Sequence, residues 1–126
     1  MGKETQDGKE TQAEPLATQA LERATRDEDW LRCAACGHAI ARQRSGIDVE
    51  GKHVHTFVNP MGHEYTIRCF AEAPGCQGAG DESTFWTWFK GFAWRVSICA
   101  ACGAHVGWSF RRESGSFWGL IVGQVA

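Results

Sequence analysis

Between Trp30 and the C-terminus, apolar and polar residues alternate in short runs, and the runs break at glycines. His53 to Val58 alternates, as do Tyr65, Ile67 and Cys69. Phe92, Trp94, Val96 and Ile98 fall on one face of a strand, and Val106, Trp108 and Phe110 on one face of another. Phe117 to Val122 forms a final strand. Gly37, Gly46, Gly51, Gly62, Gly91, Gly103 and Gly115 stand where the pattern needs turns. No amphipathic pattern persists for three helical turns, so residues 30–126 are expected to form a mostly β domain. A domain of that size sits where a bare core is marginal and a staple helps.

Residues 1–29 break this pattern. GKETQ occurs at Gly2–Gln6 and again at Gly8–Gln12, and the segment is rich in Glu, Lys, Gln and Thr. With no aromatic residue before Trp30, it cannot bury enough apolar surface to offset the entropy of ordering, so a disordered tail is expected. Leu16 and Leu21 among alanines permit a weak helix within it.

Charge excludes some partners. The formal net charge is -2 and the basic residues are scattered, so no nucleic-acid footprint is expected. No run of about 18 apolar residues suggests a membrane span, and the N-terminus carries no apolar signal segment. Gln6 stands where a myristoylation pattern needs Ser or Thr. A reducing, cytoplasmic setting is the default expectation, and there six cysteines read as metal ligands and free thiols rather than disulfides.

Four of them form near copies, Cys33-Ala-Ala-Cys36-Gly and Cys99-Ala-Ala-Cys102-Gly. A Cys-x-x-Cys turn aims two sulfurs at one point, and two such knuckles supply the four thiolates of a closed, structural Zn²⁺ site. Two independent redox pairs are the alternative, but a redox Cys-x-x-Cys opens a helix in a βαβ unit, and none is expected. Cys69 reads as a core thiol, and Cys76, in PGCQGAG, as part of an exposed loop. His53 and His55 could share a strand face and hold a metal, although a solvated face is the commoner reading. His105 is expected to secure the second knuckle or a strand end.

The segment Phe85–Trp94, FWTWFKGFAW, holds six large aromatics in ten residues. If it is a strand, Trp86 and Trp88 share a face, with Trp94 across the Gly91 turn. A small domain rarely needs so many tryptophans in its core, since each must place an indole N–H. Composition leaves a packed core and a ligand cage about equally open.

Trp88-Phe89-Lys90-Gly91-Phe92-Ala93-Trp94, then Cys99-x-x-Cys102, His105, Gly107-Trp108 and Phe117-Trp118-Gly119-Leu120, closely resemble the thalidomide-binding domain of cereblon. Val58-Asn59-Pro60-x-Gly62 resembles that family's Asn-Pro-x-Gly turn, and Cys33-x-x-Cys36 its first knuckle. The likeness covers Arg32 to about Val122, and domains of this family also occur alone in short bacterial proteins. It implies a β-tent, two antiparallel sheets pinned by one structural zinc held by Cys33, Cys36, Cys99 and Cys102. It also implies a box walled by Trp88, Trp94 and Trp108, with Phe110 at its floor, Asn59 and Pro60 on a bordering loop, and Tyr65 near the rim. The implied ligand is a cyclic imide: glutarimide, a thalidomide-type compound, or the cyclised C-terminal Gln or Asn of a peptide. Backbone groups of Trp86 and Trp88 would meet the imide edge. Trp86 replaces the family's histidine, so a side-chain contact from that position is not carried over.

The resemblance implies no enzyme and, without the rest of cereblon, no ubiquitin-ligase adaptor as partner. Two other classes stay open. A methionine-sulfoxide-reductase-like enzyme would share the tent but needs a nucleophilic cysteine near the end of the second sheet, where Trp118 to Val122 has none. A structural, peptide-docking domain would bury all its tryptophans in a closed core.

Overall fold

The computed structural model describes residues 29–126, so the tail expected over residues 1–29 lies, apart from Asp29, outside the described residues. Eight strands and one 3-10 turn make up the regular structure described. A two-stranded sheet pairs β1 (Trp30–Arg32) with β2 (Ala39–Arg42). A six-stranded sheet contains β3 (Val54–Val58), β4 (Glu64–Phe70), β5 (Cys76–Ser83), β6 (Ala93–Cys99), β7 (His105–Arg112) and β8 (Gly115–Ile121). Its spatial order is β3-β4-β8-β7-β6-β5, and every pairing is antiparallel. The fold is thus mostly β, in two antiparallel sheets of unequal size, as the alternation and the resemblance led us to expect.

The central strands bury both faces of the large sheet, and alternation sorts their side chains between two cores. On β4, Ile67 and Cys69 enter one cluster and Phe70 the other; on β8, Phe117 and Ile121 enter one and Leu120 the other. The first core is aliphatic, with Leu31 and Ile40 of the small sheet packed among Phe70, Val106 and Leu120. The second is aromatic, built on Phe89, Trp108, Phe110 and Phe117.

Val106 does not share a face with Trp108 and Phe110, contrary to the strict alternation. The register steps from Ser97↔Gly107 to Ile98↔His105, leaving Val106 as the extra residue of a β-bulge. The bulge sends Val106 to the aliphatic core while Trp108 stays with the aromatic one. A period-two reading cannot see a bulge, because one inserted residue reverses every face beyond it.

Two further readings are corrected. Cys76 begins an edge strand rather than sitting in a loop, because β5 lacks an apolar face and is held through its backbone to β6. Gly78 lets the Arg95 guanidinium lie across this strand, where any Cβ would come within 2.6 Å of it, and Arg95 Nε donates to the Gly80 carbonyl at 2.7 Å. His53 and His55 face inward instead of toward solvent. His55 is 5% exposed, its Nε2 lies 3.0 Å from the Val49 and Lys52 carbonyls, and its ring stacks on Phe57. His53 Nδ1 lies 2.9 Å from the Ile47 carbonyl and its Nε2 accepts from Arg68. Both rings therefore fasten the β2–β3 connection, and neither is placed as a metal ligand.

Candidate functional site

The two knuckles fold as the copies their sequences suggest. In the first, Cys33 N–H donates to the His38 carbonyl at 2.9 Å and Gly37 N–H returns to the Cys33 carbonyl at 2.8 Å. In the second, Cys99 N–H donates to Ala104 at 2.8 Å and Gly103 N–H to Cys99 at 2.8 Å. Gly37 and Gly103 close these loops at φ of 82° and 81°, a region that only glycine enters without strain. One knuckle belongs to the β1–β2 hairpin and the other to the β6–β7 turn, so the cluster ties the small sheet to the large one. All four sulfurs lie within 4.8 Å of one another and could hold a metal ion. The contacts between knuckles, Cys33 to Cys102 and Cys36 to Cys99, are 3.7 and 3.6 Å.

Of the remaining thiols, Cys69 lies in the aromatic core, whereas Cys76 stands opposite Cys99 across the β5–β6 ladder. Cys69 is fully buried, and burial, helped by the Asp48 charge, pushes its thiol up to about 11. Burial and the neighbouring Cys99 push Cys76 up to about 12. Both rest as thiols at neutral pH, which does not suit the first attack on a substrate.

The aromatic segment is not a strand. Phe85 to Phe92 form the loop between β5 and β6, turned by Gly91 at φ 88° and by Trp86 at φ 58°. Phe89, with no exposure, anchors the loop among Phe110, Phe117, Phe57 and His55, at ring separations of 4.9 to 5.2 Å. Thr87 Oγ1 donates to the Phe92 carbonyl at 2.8 Å, drawing the loop's ends together. Trp86 and Trp88 nevertheless reach the same side, because both indole N–H groups donate to one acceptor, the Val58 carbonyl, at 2.9 and 3.2 Å. That shared bond offsets part of the roughly 1–3 kcal/mol that positive φ costs a residue such as Trp86. Trp94 N–H donates to the Phe85 carbonyl at 2.7 Å.

These anchors leave a cavity of about 330 Å³. Trp88, Trp94 and Trp108 line it together with Phe110, and Trp88 meets Trp108 edge-on at 4.7 Å. Tyr65 joins them from β4, its ring 5.0 Å from that of Trp108. Asn59, Pro60 and Trp86 complete the set at the mouth. The Asn59 side-chain oxygen accepts from Met61 and His63 N–H at 3.0 and 2.9 Å, so it shapes its own turn. The structure therefore brings all eight residues singled out in the sequence to one cavity.

Three lining residues were not singled out: Phe85, Val96 and His105. His105 opens β7, and its Nε2 lies 3.0 Å from the Gly107 carbonyl, which makes that nitrogen the N–H donor. Its ring meets Trp108 at 4.7 Å. Burial lowers its pKa below the ordinary histidine value, opposed by the Gly107 carbonyl. Its position beside the bulge hid it, since period-two counting does not place His105 with Trp108. Val96 could have been found, because it alternates with Trp94.

The walls are nearly all apolar, and the cavity falls at the small end of the range of about 300–1,000 Å³ usual for ligand sites. This defines a class: a small β domain that joins a four-thiol cluster to a ligand-sized aromatic box. No family model matches the chain. Among curated proteins it is 38% identical over 69 residues to the protein cereblon of Xenopus tropicalis, covering 51% of this chain and 15% of that protein. It is 31% identical over 99 residues to the cereblon of Drosophila melanogaster, covering 74% and 16%. The Drosophila virilis cereblon gives 30% over 102 residues, covering 76% and 16%. The chain thus spans 15% to 16% of the length of these relatives. It carries a cereblon-like domain.

Proposed function

We propose that this domain is a non-enzymatic binding module for uncharged cyclic imides, such as glutarimide, thalidomide-type compounds or the cyclised C-terminal Gln or Asn of a peptide. The observation that carries the reading is the box itself, with Trp88, Trp94 and Trp108 around one cavity and each of Trp86, Trp88 and Trp94 held by its N–H to a backbone carbonyl. Rigid indoles offer an imide's CH₂ edge a preformed apolar wall, so little entropy is lost on binding. The imide N–H and flanking carbonyls are assigned to backbone groups of Trp86 and Trp88. Among the described residues no Asp, Glu, Lys or Arg lines the cavity, and burial favours the neutral form of His105, which suits a neutral ring.

Magnitudes set the affinity. Burying roughly 100 Å² of apolar ligand surface contributes about 2.5 kcal/mol. Two or three hydrogen bonds in a dry site add about 1 kcal/mol each. The sum, about 5 kcal/mol, puts dissociation between millimolar and micromolar.

The reading includes one structural Zn²⁺ on Cys33, Cys36, Cys99 and Cys102. Four sulfurs about 2.3 Å from a tetrahedral ion stand about 3.8 Å apart, and the two separations between knuckles, 3.7 and 3.6 Å, fit. Zinc there neutralises thiolate repulsion and fixes the knuckles; with four protein ligands it keeps no open position for chemistry. A reducing, cytoplasmic setting accords with six free cysteines, and no described helix is long and apolar enough to cross a membrane. Neither a nucleic acid nor a ubiquitin-ligase adaptor belongs to the proposal. Competition between glutarimide and a fluorescent thalidomide analogue tests it: saturable displacement is expected, and failure to bind either compound by folded, metal-loaded protein would contradict it.

A further inference from the structure

Cys76 and Cys99 stand directly opposite each other across the β5–β6 ladder. Their own amides bond elsewhere: Cys76 N–H donates to Ala73 at 3.0 Å and Cys99 N–H to Ala104 at 2.8 Å. Beside them, Ala100 N–H donates to Gly75 at 2.9 Å. They are therefore a non-hydrogen-bonded antiparallel pair, the closer of the two kinds, with Cα atoms about 4.5 Å apart and side chains on one face. That face belongs to the aliphatic core, where Cys99 is buried and Cys76 packs against it. Gly75 holds this end of β5 tightly, since a Cβ there would lie 2.0 Å from the Ala39 carbonyl oxygen. A disulfide needs Cα atoms about 4.4–6.8 Å apart with converging Cβ atoms, so this pair could close without moving the backbone.

We propose that Cys76 is the resolving thiol of a peroxide-responsive switch, which traps oxidised Cys99 as a Cys76–Cys99 disulfide and withdraws that sulfur from the four-cysteine cluster. Cys36 and Cys102 are exposed whereas Cys99 is 1% exposed, so the step requires a small hydroperoxide to enter between the two exposed cysteines. The Cys99 thiolate attacks one peroxide oxygen; the O–O bond breaks, giving a sulfenic acid and hydroxide. The Cys76 sulfur then attacks the Cys99 sulfur, the S–O bond breaks, and the second oxygen leaves as water after taking the Cys76 thiol proton. Hydroxide takes a proton from solvent, so hydrogen peroxide yields two waters and each cysteine sulfur has lost one electron. Cys99 then no longer meets Cys36 as a thiolate, and the three sulfurs left do not make the closed four-thiolate set that ties the small sheet to the large one. The metal consequence rests on the zinc reading, whereas the disulfide rests on the strand register alone.

The test treats the full chain with hydrogen peroxide, measures bound metal before and after, and maps linked peptides by mass spectrometry without reduction. A Cys76–Cys99 linked pair with loss of bound metal is expected, both reversed by dithiothreitol and added zinc. In Cys76→Ser and Cys76→Ala the linked pair is absent, and less metal binding returns after reduction because Cys99 is carried to the sulfinic acid. A wild-type map showing Cys99 joined to Cys102, with no Cys76 link, would overturn the proposal even if neither variant folds. Untreated protein without metal would remove the zinc reading alone, and the map would still decide the disulfide.

Discussion

The two faces of the six-stranded sheet solve the same burial problem with different side chains. On one face Ile40, Val106, Leu120 and Phe70 close around one another, each at most 2% exposed, and the four-cysteine cluster sits at their edge. On the other, Phe89 and Phe110 are equally buried at the bottom, yet Trp86 is 53% exposed at the top. Branched aliphatic chains interdigitate to the density of a crystal. The indoles of Trp86, Trp88 and Trp94 are tied by their N–H groups to the Val58 and Phe85 carbonyls rather than packed onto one another, and the space they border is the cavity. The closed face supplies rigidity, and the open face uses it.

Removing the cluster would test that division most severely. Structural zinc contributes apparent free energies of about 10–16 kcal/mol in small domains, comparable to a whole domain's stability of about 5–15 kcal/mol. Chelation, or Cys99→Ser, is therefore expected to unfold the domain, seen as loss of the cooperative thermal transition. An unchanged melt would mean the aliphatic face needs no staple. Phe89→Ala comes next, removing the buried anchor of the aromatic loop at about 3–5 kcal/mol. Denaturant unfolding measures it, and a cost below about 1 kcal/mol would show that the loop is held by its hydrogen bonds instead.

Trp94→Ala should separate the faces most cleanly. It removes a wall and the bond to the Phe85 carbonyl, so imide binding is expected to vanish while stability falls by about 1–2 kcal/mol. Retained affinity would mean that the cavity is not the site. The smallest effect is a pH dependence from His105, whose folded pKa lies below its unfolded value because burial disfavours the charged ring. Its contribution is present above about pH 6.5, the ordinary histidine value, and is lost as pH falls through the folded pKa, because the unfolded chain then binds more protons. His105→Asn should flatten that part of the stability profile measured by denaturant titration; an identical slope would assign it elsewhere.

Much of this was legible in the chain. The knuckles could be read because their chemistry is local: four residues fix the turn, and the glycine after each fixes its φ. Strand β4 could be read from the alternation of Tyr65, Ile67 and Cys69, and β8 from an apolar run whose residues are buried on both faces. The course of the aromatic loop was not, since Trp86 and Trp88 are two apart but meet only through the Val58 carbonyl, far away in sequence. The side of Val106 and the place of His105 were hidden by a single inserted residue. β5 was hidden because its pairing is carried by backbone and by Arg95 rather than by apolar side chains.

The measurement closest to the central claim is a tryptophan-fluorescence titration of metal-loaded protein with glutarimide, run beside its N-methyl derivative. A neutral imide held by its N–H and covered by indoles should quench fluorescence saturably, at micromolar to sub-millimolar concentration, and the N-methyl compound should bind at least about tenfold more weakly, the equivalent of about 1.4 kcal/mol. Equal binding of the two would contradict the assigned imide contacts, and no saturable change with either would contradict the box as a ligand site.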